Sequence, residues 1–262
     1  ARDAWATTLD GGGAGRILRI AIDSGQADIG VRLLAFTDGH QSPGLGAGLS
    51  VTYGAKAGGT VTIERNAFLL NVADQAAALA IQGGSLQYVV NNLFVLNQAG
   101  SRAAAYLATS APLGVSFTNN TVLAHSHDNG QQPAVSILAG RVLVANNHLW
   151  DNDGHDLDLG ATGDRFLYHN NFESLLAHGG EVAEGNISVE PEYEGGFLDY
   201  TPARGSVLVD AGREPQGSLP LWYIAALDFE GAARVVGAHV DIGAFENETI
   251  FVDGFEVSGP FR

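Results

Sequence analysis

The sequence predicts an all-β chain wound as a solenoid of stacked coils, on three observations. Thirty-five glycines, frequent asparagine and short Val/Ile/Phe alternations read as many short strands with little helical periodicity. A fixed period runs through the chain: "VTIERNAFLLN", "QYVVNNLFVLN", "VSFTNNTVLAH", "VLVANNHLWDN" and "FLYHNNFESLL" fall into register on one asparagine. Ahead of that asparagine the apolar residues alternate strictly, as in a half-buried strand.

The anchors are Asn66, Asn92, Asn120, Asn147 and Asn171, spaced by 26, 28, 27 and 24 residues, and a weaker copy, "EGNISVE", places Asn186 15 residues on. Five and three residues before them stand Val61/Ile63, Val115/Phe117, Val142/Val144 and Phe166/Tyr168, with Gln87 beside Val89 as the one departure. A second column, five residues after the anchors, reads Asn71, Asn97, His125 and Asn152. Such columns imply amide ladders, in which each side chain bonds its equivalent one coil away and the anchor residue takes a left-handed backbone at a sharp corner.

A strand-rich period near 25 residues with an asparagine at its corner resembles the single-stranded right-handed parallel β-helix of the pectate-lyase-like superfamily. Coils are expected over 1–190. "LDGGGAGRILRIAIDSG" and the stretch after it resemble bacterial β-helix coils in which glycine precedes a strand. The chain opens on "ARDAW" without methionine, which points to a processed or excised chain lacking earlier coils, or to a cap made by the first dozen residues.

A closing segment of the same domain is expected over 191–247. "GSVLVDAG" and "DFEGAARVVGAHVDIGAFE" resemble the end of bacterial secreted choice-of-anchor Q β-helix proteins, matching at Asp210, Gly212, Asp228, Gly231, Arg234, Asp241, Gly243 and Glu246. Val207 departs from the proline of that pattern. Ion pairs between Arg234 and these carboxylates would lock the last coil and cover its open edge. The remaining tail, 248–262, carries "IFVDGFE", which resembles a motif on exported proteins of xanthomonad-type bacteria.

Charge excludes several partners. The net charge is −16, from 29 acidic against 13 basic residues, and no basic cluster relieves it, so nucleic acid and anionic membrane are repelled. Polyanionic glycans would need a bridging cation. No apolar run is long enough for a membrane span. With no cysteine, disulfides, zinc–thiolate sites and thiol nucleophiles are absent.

Chemistry concentrates in "VANNHLWDNDGHDLDLG", Val144 to Gly160. His148 reads as a variable position of its column. Asp151 replaces an aliphatic residue in a column otherwise reading Leu70, Leu96, Ala124 and Leu175. Asp153, His155, Asp156 and Asp158 follow, and His125, His127 and Asp128 of the preceding coil should lie one strand spacing, about 4.8 Å, away. Asp128, Asp151 and Asp153 are the metal candidates, with calcium the cation that carboxylates and loop carbonyls favour. Asp151, Asp153, His155 and His127 are the catalytic candidates, since paired carboxylates can cleave a glycosidic bond. His125, His127, Asp128 and Trp150 are the binding candidates, Trp150 as a sugar platform.

Lys56, the only lysine, sits in the turn-like "GAKAGG" and reads as solvated. Arg141 and Arg165 stand at equal offsets from their anchors, either stacked or paired with Asp164. Sequons fall at Asn119, Asn186 and Asn247. Two functions remain open. One is an exported protein of the bacterial envelope or the secreted space, structural, adhesive or glycan-contacting, monomeric and non-catalytic. The other is a polysaccharide lyase or glycoside hydrolase working through the Asp/His corner loops.

Overall fold

A computed structural model describes residues 7–128, 130–196, 198–215 and 221–247. The tail motif "IFVDGFE" lies outside the described residues. The chain forms a parallel β-solenoid of about six turns, with no helix among the described residues.

Each full coil runs through four flat sides. The first sheet stacks Thr8–Asp10, Ala35–Thr37, Ala67–Leu69, Leu93–Val95, Thr121–Leu123, His148–Trp150 and Asn171–Phe172. A short second sheet follows in chain order, holding His40–Leu45, Val72–Gln75, Gln98–Ser101 and Ser126–His127. The third sheet runs from Leu18–Gln26 through Leu49–Gly58, Leu79–Gln82, Ala105–Thr109, Pro133–Ala139 and His155–Asp158 to Leu175–Leu176. The fourth runs from Ile29–Arg32 through Thr60–Glu64, Leu86–Val90, Gly114–Thr118, Arg141–Ala145 and Asp164–Tyr168 to Val182–Glu184.

Alternation along each strand sends one set of side chains inward, and stacking aligns them. Phe36, Phe68 and Phe94 lie face to face at 4.9 Å with interplanar angles of 7° and 5°. Leu79, Ile81, Leu107, Val135 and Ile137 from the third sheet and Ile63, Val89, Phe117 and Val144 from the fourth complete a fully buried core. Each ring pair adds about 1 kcal/mol beyond the area it buries.

The corners explain the asparagines. Between the fourth and first sheets, Asn66, Asn92, Asn120, Asn147, Asn170 and Asn186 form one continuous ladder, each Oδ1 accepting both the backbone N–H and the Nδ2–H of the previous member at 2.9 to 3.1 Å. The first five of these amides are buried, so an isolated one would leave both donor and acceptor unpaired. The left-handed conformation belongs to the residue before the ladder: Leu33, Arg65, Asn91, Asn119, Asn146 and His169 all have φ between 51° and 60°. The expectation that the anchor itself is left-handed is corrected accordingly.

The fifth anchor is also corrected. Pairing matches Ala145 with Tyr168 and Val144 with Leu167, so Asn170, and not Asn171, continues the ladder. A slip of one residue reverses every side chain of a strand. Arg165 and Leu167 therefore point inward where Phe166 and Tyr168 were expected, and those two rings stack on each other outside, Tyr168 against Trp222. The buried Gln87 is accommodated by donating to the carbonyls of Gly83 and Ala108 at 2.7 and 3.0 Å.

The described part of the closing segment reaches the outer flank of the coils. It runs along the flank, with Phe229, Ala244 and Phe245 on the outer face of the first sheet and Leu221 and Trp222 on that of the fourth. Its backbone satisfies the left-handed column: Leu227, Asp241 and Arg213 carbonyls accept from the Nδ2 groups of Asn91, Asn119 and Asn146. Arg234 pairs with Glu246 at 2.6 Å, both fully buried, and its guanidinium also reaches Asn91 Oδ1. The matched carboxylates are bound to backbone N–H groups: Asp228 to Gly231, Ala232 and Glu246, Asp241 to Asp210 and Asn247, Asp210 to Ala238 and His239. The knot holds a flank strap against the corners at Asn91 and Asn119.

Two substitutions test these corners by urea unfolding. Asn120→Ala removes the middle rung and leaves buried amide groups unpaired, and is expected to cost about 3 kcal/mol. Leu96→Asn replaces an exposed leucine held at φ 56° with a residue suited to that backbone, and should gain about 0.5 kcal/mol.

Candidate functional site

The second corner, between the first and second sheets, has the same construction. Asp38, Leu70, Leu96, Ala124 and Asp151 are its left-handed residues, with φ from 54° to 56°. Aspartate is among the few side chains that favour this backbone, so conformation accounts for Asp151, as for Asp38 at the other end of the column, with Leu70, Leu96 and Ala124 between them. Leu175 lies elsewhere, in the third sheet opposite Leu157. The Asp151 N–H donates to Glu173 Oε2 at 2.6 Å, and its carboxylate is exposed.

Behind this column stands the second ladder: Gly39, Asn71, Asn97, His125 and Asn152. Asn71 Oδ1 accepts from Gly39 and Asn97 Oδ1 from Asn71, each at 3.0 Å. A Cβ at Gly39 would meet Ala47 O at 2.5 Å, which is why the first rung lacks a side chain. His125 substitutes for asparagine: its Nδ1 accepts the Asn97 N–H at 3.0 Å, and its own N–H donates to Asn152 Oδ1 at 3.1 Å. The ladder ends on a carboxylate, as Asn152 Nδ2 donates to Asp156 Oδ1 at 2.7 Å while Glu173 and Ser174 N–H groups bind Asp156 Oδ2 at 2.7 and 2.9 Å.

The expected neighbours do meet. His125 lies against Asn152, and the Asp153 N–H donates to His125 O at 2.9 Å. His127 faces Asp153: its Nδ1 is 2.9 Å from Asp153 O, and its Nε2 accepts the Ala103 N–H at 3.2 Å. That pair of bonds fixes the neutral tautomer with the proton on Nδ1. Asp128, exposed, takes the Gln98 Nε2–H at 3.4 Å. His155 opens a third-sheet strand opposite Pro133. Among the described residues no group of three or more His, Asp or Glu side chains is placed to hold a metal ion, so this arrangement gives no support to calcium at Asp128, Asp151 and Asp153.

Burial governs the charges here. It pushes His125 down to about 3, and backbone hydrogen bonds offset this only in part. His127 is also lowered, chiefly by burial. Asp156 is pushed up to about 6 by burial against the opposing pull of its hydrogen bonds from Asn152, Ser174 and Glu173. The corner therefore holds two neutral imidazoles at neutral pH.

His148 is not the indifferent position its column suggested. It is buried, pushed down to about 3 by desolvation, and its Nε2 lies 2.6 Å from the Tyr193 hydroxyl. Tyr193 belongs to the closing segment and packs edge-on against Tyr200, with ring centroids 5.6 Å apart. Trp150, half-buried, lies on the same face, 6.4 Å from the His148 ring. No local pattern links His148 to a tyrosine 45 residues away, so sequence reasoning had no signal for this pair.

The other marked residues are structural. Arg141 pairs with Asp164 at 3.3 Å and does not stack on Arg165, because the corrected register places them in different columns. Lys56 is exposed on the third sheet. The sequon asparagines Asn119 and Asn247 are buried and Asn186 is a ladder rung, so none presents its amide to solvent. No family model, curated protein or solved structure matches this chain.

The low histidine values carry a pH prediction. Folding holds His125 and His148 below the ordinary value of 6.5, so their contribution is intact above pH 6.5 and is lost as pH falls toward 3. His125→Asn, which keeps a rung like Asn97, should remove about half of the pH slope of stability that the two histidines contribute over this interval. Urea midpoints at pH 7, 5.5 and 4 measure it; Asp156, whose effect has the opposite sign, is common to both proteins and cancels. An unchanged slope would show that His125 is not held neutral.

Proposed function

We propose that this chain is the β-helix of an exported bacterial protein, secreted or displayed at the cell envelope, that contacts glycans as a monomeric scaffold without catalysis. One observation carries the reading. Both nitrogens of His127 are engaged by backbone groups of neighbouring coils, and Nδ1 of His125 and both carboxylate oxygens of Asp156 serve the ladder. A general acid or base needs an atom turned toward a substrate and a proton it can exchange. These groups are spent on holding coils together.

Glycan contact is supported by Trp150. The outer column Leu69, Val95 and Leu123 is buried beneath the closing segment, and Trp150 continues it as the first half-exposed member, beside the Asp151 carboxylate. An aromatic face next to hydrogen-bond acceptors suits a neutral sugar ring, and the strongly acidic surface disfavours uronate polymers. The closing segment's likeness to choice-of-anchor Q proteins, carried by Asp210, Asp228, Arg234, Asp241 and Glu246, supports export and a bacterial source.

Melting and cleavage assays with and without calcium, on wild type and Asp151→Ala/Asp153→Ala, test the reading against a panel of polysaccharides. The expected result is no cleavage, no calcium shift in Tm, and weak binding of neutral glycans that Trp150→Ala reduces about tenfold, a loss of about 1.4 kcal/mol. Calcium-dependent cleavage lost in the double variant would overturn it in favour of a lyase or hydrolase.

A further inference from the structure

Inside the fourth sheet one column reads Val61, Gln87, Val115, Val142 and then Arg165. An arginine ends a column that valine fills in three coils. It is 6% exposed, yet the residues of its own strand give its guanidinium nothing to bind. Its partners come from the two neighbouring loops. Nη1 donates to Gly160 O and Nη2 to Gly179 O, each at 2.6 Å, and Glu181 Oε1 lies 3.4 Å from Nη1.

The same loop is tied twice more. Glu181 Oε1 accepts the His178 N–H at 3.2 Å. His178 Nε2 lies 2.9 Å from Asp158 Oδ1, and the other Asp158 oxygen takes the Ser136 hydroxyl at 3.3 Å. Beyond these ties, Val182–Glu184 pairs with Phe166–Tyr168 as the outermost strand of the fourth sheet. That strand has three residues, all exposed, and no side chain of it enters the core. Its pairing is held by the ties before it and, on its other side, by the Glu184–Arg213 ion pair at 3.0 Å and the Asn170–Asn186 rung.

We propose that Arg165 is a latch that holds residues 177–184 over the end of the solenoid and so keeps the edge of the strand Asp164–Tyr168 from pairing with a second copy of this chain. A valine would fill the column at no electrostatic cost. The arginine exchanges that packing for a clamp on two glycine carbonyls and a carboxylate, which repays its burial only while the loop is in place. Without the loop, the outward N–H and C=O groups along Phe166–Tyr168 lose their partner strand, and the same edge on another copy is the nearest complement.

Arg165→Val separates the latch from the core, since valine is native to the column. Hydrogen exchange and sedimentation velocity on the whole chain read the outcome. Expected are an unchanged far-UV spectrum, exchange in 177–184 faster by about tenfold or more, and concentration-dependent dimerisation. Glu181→Gln with His178→Gln leaves the column untouched and should loosen the same residues, which keeps the test valid if the valine variant fails to fold. Unchanged protection of 177–184 in either variant would overturn the latch. A freed loop with a monomer at every concentration would overturn its guarding role.

Discussion

The coils from Asn66 to Asn186 turn on one local device: a residue in left-handed conformation followed by an amide that bonds its equivalent one coil away. The backbone direction changes abruptly there, so the peptide groups at the corner cannot all join the strand pairing on either side. Asparagine supplies the missing acceptor and donors from a single side chain. The cost is that the device works only as a stack. Each rung satisfies the rung before it, and the series Asn66 to Asn186 has to stay in register through six members.

The flank strap follows from the same constraint. A left-handed residue directs its side chain outward, and at Asn91, Asn119 and Asn146 this places three amides on the outside of the solenoid. The outer faces of the adjoining sheets are apolar there, with Leu93, Val95, Leu143 and Ala145 all buried in the finished fold. The closing segment covers that surface and brings its carbonyls to the amides. Its own irregular backbone would be unsatisfied on such a surface, so Asp210, Asp228 and Asp241 bind its N–H groups from within. The Arg234–Glu246 pair sits at the crossing, where burial pushes the Glu246 carboxyl upward against the pull of the arginine.

The repeat was legible because ladders and core columns both impose a spacing on the sequence. It was misread at one place for a physical reason. In three coils the left-handed residue is itself asparagine, giving the pairs Asn91-Asn92, Asn119-Asn120 and Asn146-Asn147. In the fifth coil His169 takes the left-handed position, and the visible pair Asn170-Asn171 stands one residue later. Matching pair to pair put Phe166 and Tyr168 inside, which looks better for a core than Arg165. The hydrogen bonds choose Asn170, and the arginine is accommodated by partners that lie in other loops. The strap's position was equally hidden, since its contacts join residues more than a hundred positions apart.

The acidic, histidine-rich stretch that drew attention as a reaction centre is explained by where the chain runs out of asparagine. At the second corner the ladder passes from Asn97 to His125 and ends at Asp156. Imidazole can replace an amide only while neutral, because its Nδ1 must accept a backbone N–H, and burial enforces that state. A carboxylate suits the last rung for the converse reason: it only accepts, and the donors of Asn152, Glu173 and Ser174 converge on it. His125 and Asp156 are thus the residues with which the solenoid changes its repeat. Asp151 and Asp153 are exposed in that stretch and Trp150 and His155 half-buried, and ligand contact at this corner falls to these side chains.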